Sequence, residues 1–183
     1  MTDHLLQAYQ VDFATRTDPE TGSGGQIAEG RGVNAHEIRA GMIYKDANVT
    51  VTAFATKHAM ESYGYRFDTR DRRIVISGDT NPTQATIDAC SGCDVLIHEV
   101  RSVAGLAKRP AAFQRFAAKY HTTSTQVADL ASQAKPKLLI LYHHAIVWRP
   151  DVNPAASSPA DLLSEVSARY SGHVVVGRDL DVY

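Results

Sequence analysis

Three residues of this 183-residue chain combine metal-binding side chains with a position at the end of an apolar run. His58 closes VTVTAFATKH, Asp79 follows RRIVISG, and His143 follows KLLILY. A rigid sheet holds side chains around a cavity at its strand ends, and histidine with aspartate suits zinc or manganese. Taken one at a time these residues say little, because a histidine at a strand end is more often a hydrogen-bonded structural residue. It is the joint arrangement that points to metal chemistry.

The elements that must position them can be read from periodicity. Leu5, Leu6, Tyr9 and Phe13 fall at helical spacing, which predicts an amphipathic helix over residues 2–16. The stretch TDPETGSGGQIAEGRG, residues 17–32, reads as a flexible excursion. Strands are expected over 33–38, 42–44 and 49–58, the last alternating Val49, Val51, Ala53 and Ala55, and over 63–68 and 73–77 around a polar turn. From Gly78 onward strands and helices alternate. A helix is expected over 82–89 with Pro82 near its start, then a buried strand DVLIHE over 94–99. Helices follow over 111–119 and 124–134, the second capped by Ser124 or Thr125. The continuous run KLLILY, residues 137–142, suits a strand covered on both faces. A helix over 159–170 and a strand over 173–177 complete the pattern. This is an α/β layered sandwich (α+β), read as a single domain over residues 1–183.

Composition sets the class. Hydrophobic residues at 44% and charged residues at 21% are ordinary for a soluble globular chain. Neither a run of 18 apolar residues nor a charged-then-apolar leader is visible, so the expectation is a cytoplasmic protein with no membrane partner. A net charge of −1 argues against binding nucleic acid mainly through phosphates, and the densest basic cluster, Arg70, Arg72 and Arg73, is interrupted by Asp71. Cys90 and Cys93 form a lone C-x-x-C after a helical pattern and before a strand. A zinc ribbon needs a second pair, and a redox motif opens a helix, so two small semi-buried thiols at a turn are expected.

The segments KHAMESYGYRF, VISGDT, DVLIHE, HTTS and LLILYHH, in this order and spacing, resemble the metallo-β-lactamase superfamily, especially its ribonuclease Z and arylsulfatase-like branch. The ending GHVVVGRDLDVY is similar to the terminal strand and tail of such proteins, so the resemblance covers nearly the whole chain. It implies a four-layer αββα fold and a binuclear metal-dependent hydrolase. Such an enzyme attacks a phosphodiester, sulfate ester or related ester with a metal-bound hydroxide. By resemblance His58 ligates the first of two zinc ions, with manganese or iron as alternatives. Asp79 bridges both ions and His143 ligates the second. A bridging carboxylate suits two cations about 3.5–4 Å apart, which repel strongly without anionic charge between them. Gly78 permits the sharp turn before it, and Thr80 can hydrogen-bond around the ligands.

Glu99 and His121 resemble the family's catalytic pair, in which a glutamate orients a histidine that protonates the leaving group. A carboxylate fixes the imidazole tautomer and raises its pKa, as a general acid requires. The bland alternative is a structural ion pair with His121 capping the next helix. His144 and His98 adjoin His143 and Glu99, and adjacent strand residues point to opposite faces, so both are left out.

The family's H-x-H-x-D-H motif is absent. Asp3 and His4 match only its end, with Met1 where a histidine would stand. Residues 2–16 fit better as the helix that follows the motif. Three ligands shared by two ions hold neither tightly, so the N-terminal part of the domain is read as missing and this chain alone as inactive. It should then expose apolar sheet surface, or pair as a homodimer or with the missing N-terminal segment. Two alternatives stay open. One is a ribonuclease Z-type tRNA 3′-processing endonuclease. Only one hairpin separates His58 from Asp79, where a long tRNA-grasping arm is usual, and HHAIVW replaces H-x-S-x-R-Y, so a small ester or phosphodiester is favoured over nucleic acid. The other is a metal-free, non-catalytic interaction module on the same scaffold.

Overall fold

The computed structural model describes residues 2–18, 33–144 and 157–183. The chain forms two compact units, residues 1–38 and 39–183. In the first, the expected single helix is two, α1 (Thr2–Ala8) and α2 (Gln10–Thr17), divided at Tyr9, whose ψ of 6° leaves the helical region. An Arg16–Asp12 pair at 2.8 Å braces α2. The expected strand over 33–38 does not form. A strand needs a hydrogen-bonded neighbour, and the sheet begins only at Gly41.

The second unit is built on a seven-stranded sheet whose spatial order follows the sequence. Its strands are β1 (Gly41–Lys45), β2 (Val49–Ala55), β3 (Tyr63–Thr69), β4 (Arg73–Ile76), β5 (Val95–Glu99), β6 (Leu138–Tyr142) and β7 (Val174–Val176). β1 to β4 form an antiparallel meander, and β4 to β7 are parallel. Because β3 opposes both its neighbours, β2, β4, β5 and β6 all run in one direction and end at the same edge.

Helices supply the crossovers: α3 (Gln84–Cys90), α4 (Val103–Ala107), α5 (Ala111–Tyr120), α6 (Ser124–Ala134) and α7 (Pro159–Ser167). α3 starts after Pro82, capped by Thr83, whose hydroxyl accepts from the Thr86 amide. α6 is capped by Thr123 in a box with Gln126, not by Ser124 or Thr125. The Ser124 hydroxyl is committed elsewhere, donating to Glu165 at 2.5 Å.

Strand alternation decides the core. The register aligns Val75, Leu96 and Leu139 in one row, with Leu141 beside them. All four are fully buried and share one cluster with Val127 and Ala131 of α6 and Leu162 and Val166 of α7. Each such leucine contributes roughly 1.5–3 kcal/mol on burial. In the alternate row Ile140 is buried, while Tyr65, Ile76, Ile97 and Val175 are only half-buried. Cys90 and Cys93 are not free thiols but a buried disulfide. Ser91 and Gly92 both take left-handed φ, 36° and 78°, which folds the chain back and brings the two Cα atoms to 4.7 Å. Among the described residues no helix is long and apolar enough to cross a membrane.

Candidate functional site

The shared exit edge of β2, β4, β5 and β6 gathers all five residues singled out by sequence. Three of them follow strand ends directly: His58 lies three residues past β2, Asp79 three past β4, and His143 one past β6. Glu99 is the last residue of β5, and His121 follows α5. Two groups have potential ligand atoms within 4.8 Å of one another, His58 with Asp79 and His121, and Glu99 with His121 and His143. His143 Nδ1 lies 3.2 Å from Asp79 Oδ1, and the His58 and His143 rings sit 5.4 and 5.8 Å from that of His121.

The loop after β4 knits these exits together. Gly78 takes φ +63°, with Tyr63 carbonyl oxygen 3.1 Å from where a Cβ would stand, so the turn requires glycine. Thr80, fully buried, donates its amide to Glu99 Oε1 at 2.7 Å, and its hydroxyl accepts from the Lys57 amide next to His58. Its carbonyl accepts from the Thr122 hydroxyl at 2.7 Å. Asn81 donates from its side chain to the His121 carbonyl at 3.0 Å. One tripeptide thus fixes the segments carrying His58, Glu99 and His121.

The Glu99–His121 pair is the most enclosed part. Its side chains are 0% and 7% exposed, and His121 Nδ1 lies 2.9 and 3.1 Å from the two carboxylate oxygens. Burial pushes the Glu99 carboxyl up to about 8. Burial, then the nearby Arg101 cation, pushes His121 down to about 4, opposite to the rise expected from its carboxylate neighbour. Arg101 Nη2, which can only donate, lies 3.4 Å from His121 Nε2. That contact assigns the proton to Nδ1, facing Glu99, and leaves Nε2 bare toward the site. Burial also lowers the His143 imidazole, partly countered by Asp79.

The donor set suits a cation. His58 Nε2 is buried without any hydrogen-bond partner, an arrangement that costs free energy unless something electron-poor meets the lone pair or an acceptor meets the proton. Asp79 and His121 offer ligand atoms within 4.8 Å of those of His58, and His121 in turn is grouped with Glu99 and His143, the mixture of imidazole and carboxylate that zinc or manganese takes. His144 turns away to the Gly177 carbonyl, 3.3 Å distant. His98 is buried and bonds the Glu99 carbonyl through Nδ1 at 2.7 Å. Arg101 was not singled out by sequence. The signal was present in HEVR, a cation two residues beyond Glu99 at the end of a buried strand.

Residues 4–144 match the family model described as the beta-lactamase superfamily domain. Among curated relatives, the chain is 24% identical to ribonuclease BN of Cronobacter sakazakii, over 61% of this chain and 51% of that protein. It is 25% identical to a putative ribonuclease Z of Mycobacterium tuberculosis, over 81% of this chain and 64% of that protein. The chain therefore spans between half and two-thirds of these relatives. Of solved structures, the metallo-beta-lactamase fold protein YhfI of Bacillus subtilis superposes with a TM-score of 0.61 at 18% identity, over 76% of this chain and 50% of that one. Human tRNase Z, short form, superposes with a TM-score of 0.52 at 21% identity, over 78% and 45%. With that fold and a matching family model over most of its length, the chain belongs to the beta-lactamase superfamily.

Proposed function

We propose that this chain carries the proton-transfer pair and part of the metal site of a hydrolase acting on a phosphodiester, sulfate ester or related small ester. The convergence of His58, Asp79, Glu99, His121 and His143 on one sheet edge supports this reading most strongly. His58, Asp79 and His143 would hold the metal, two zinc ions in a complete site, with manganese or iron as alternatives. When bound, the metal lowers the pKa of water and stabilises developing negative charge. The protein's own share is proton management. His121, oriented through Nδ1 by Glu99, offers a bare Nε2 that takes a proton during attack and returns it to the leaving oxygen.

The test is His121→Ala in the complete protein, assayed on bis(p-nitrophenyl) phosphate and p-nitrophenyl sulfate alongside metal analysis. Turnover should fall roughly 10²- to 10⁴-fold with metal content intact. Unchanged turnover removes His121 from the chemistry. Loss of metal supports a second reading, in which His121 is itself a ligand, favoured by its membership of both donor groups.

A ribonuclease Z-type activity rests on the names of the relatives at 24–25% identity. The connection from His58 to Asp79 is a single hairpin, β3–β4, and the chain's net charge is −1, so a small substrate is the stronger proposal. Cleavage of a precursor tRNA at its 3′ trailer would reverse that preference. A metal-free interaction module predicts no stoichiometric zinc, manganese or iron.

A further inference from the structure

Arg101 and Arg109 are the two described arginines whose buried Nε lacks a hydrogen-bond partner; Arg109 lies over the Phe113 ring, whereas Arg101 lies beside the site. Arg66 and Arg73 both pair with Asp68, Arg169 pairs with Asp129, Arg16 with Asp12 and Arg72 with Asp71. Arg101 is half-buried, and among the described residues it forms no ion pair. Among the described residues its buried Nε has no hydrogen-bond partner and Nη2 reaches only His121 Nε2, at 3.4 Å.

The backbone beneath this side chain is pinned on both sides. The Arg101 amide donates to the Thr122 carbonyl and the Arg101 carbonyl accepts from the Ser124 amide, each at 2.8 Å. Arg101 bridges Thr123 in parallel fashion, which locks it to the segment carrying His121. Further support comes from α7. Glu165 accepts from the hydroxyls of Ser102 and Ser124 at 2.8 and 2.5 Å and from the amides of Val103 and Ala104. The residue following Arg101 is thereby anchored to a helix residue 63 positions away in sequence. Asp79 and Glu99 both lie within electrostatic reach of the guanidinium without closing on it.

A guanidinium presents its donors in a flat fork that matches two oxygens of a tetrahedral oxyanion. Held on a fixed backbone beside the bare nitrogen of the proposed proton carrier, and closed by no carboxylate among the described residues, the fork is placed to receive such an anion next to the reacting bond. We infer that Arg101 is the specificity-determining residue of this site, gripping a non-bridging oxygen of a phosphoryl or sulfuryl ester. This inference rests on the hydrolase reading above and narrows its substrate class. It selects esters that carry negative charge at the reacting centre over neutral carboxylic esters.

The experiment compares wild type, Arg101→Gln and Arg101→Lys, with and without zinc. Inorganic phosphate is titrated in while the arginine Nε–H resonances are followed, and the Arg101 signal is assigned by its loss in both variants. Phosphate should move the Arg101 Nε–H signal. Phosphate affinity should fall roughly 10- to 100-fold in Arg101→Gln, the worth of one or two charge-assisted hydrogen bonds, and less in Arg101→Lys. In the complete protein, KM for bis(p-nitrophenyl) phosphate should rise in step, and by a larger factor than KM for p-nitrophenyl acetate. A stationary Nε–H signal at saturating phosphate in the wild type overturns the inference, as does equal phosphate affinity in all three folded proteins. Absence of bound zinc or of any esterase activity in the complete protein sinks the hydrolase reading instead. In that case the Nε–H response still decides Arg101 as an oxyanion receptor.

Discussion

Glu99 and His121 expose 0% and 7% of their side chains, whereas Asp79 and His143, only a few ångströms away, expose 39% and 40%. The buried pair has its partners already: the Thr80 amide, the two-point contact between carboxylate and imidazole, and Arg101 behind. The open pair is held by a single contact of 3.2 Å, and His143 sits at a left-handed φ of +45° that few residues with a side chain adopt. One wall of the site is therefore built by folding itself, and the other has its geometry still to be completed by whatever binds. In the buried wall, substitutions should show up as stability. In the open wall they should show up as ligand affinity.

The sharpest break of this contrast is Glu99→Ala. It strands the buried Thr80 amide and His121 Nδ1, each worth about 1–3 kcal/mol, so the total loss is about 2–6 kcal/mol, or roughly 4–24 °C in Tm for a chain of this size. A melting curve that does not move would show that the buried wall is not structural.

Glu165→Gln should cost less, about 1–3 kcal/mol, because it removes a shared acceptor from Ser102, Ser124 and two amides. Its pH dependence is specific. Burial alone would raise this carboxyl, but the Ser124 and Ser102 hydroxyls and the Ala104 and Val103 amides hold it below its ordinary value. A carboxylate depressed in the folded state stabilises fully above its unfolded pKa and loses that contribution as pH falls through the folded one. The Tm gap between wild type and Glu165→Gln should thus be widest above about pH 5 and close on acidification. A gap independent of pH would contradict the assigned network.

His143→Ala should be smallest without metal, within about 0.5 kcal/mol, as is usual for an exposed side chain. With zinc the order inverts. Zinc at 100 times its Kd should stabilise the wild type by about 2.7 kcal/mol and the variant far less. An equal zinc response in both would remove His143 from the ligand set.

Much of this was legible beforehand because strands simplify prediction. Period-two alternation and a shared exit edge are local properties, so His58, Asp79 and His143 could be recognised at the ends of VTVTAFATKH, RRIVISG and KLLILY. What stayed hidden is set by long-range partners. Ser124 looked like a cap until Glu165, 41 residues on, claimed its hydroxyl. Residues 33–38 alternate like a strand but have none to bond. The Cys90–Cys93 bond depends on two successive left-handed residues, one of them a serine, which composition does not announce. Arg101 escaped notice because its meaning is a missing partner, and absences appear only in three dimensions.

The strand order also bears on how the protein is made. Since each strand lies beside its predecessor in the chain, the sheet can grow one strand at a time as the polypeptide emerges, with short closure distances in the meander and longer ones once crossovers begin. The candidate site follows the same schedule: His58 and Asp79 are placed with the meander, Glu99 and His121 join when α5 has passed, and His143 arrives only with β6. A nascent chain would hold its reactive groups apart until nearly all of the sheet is in place.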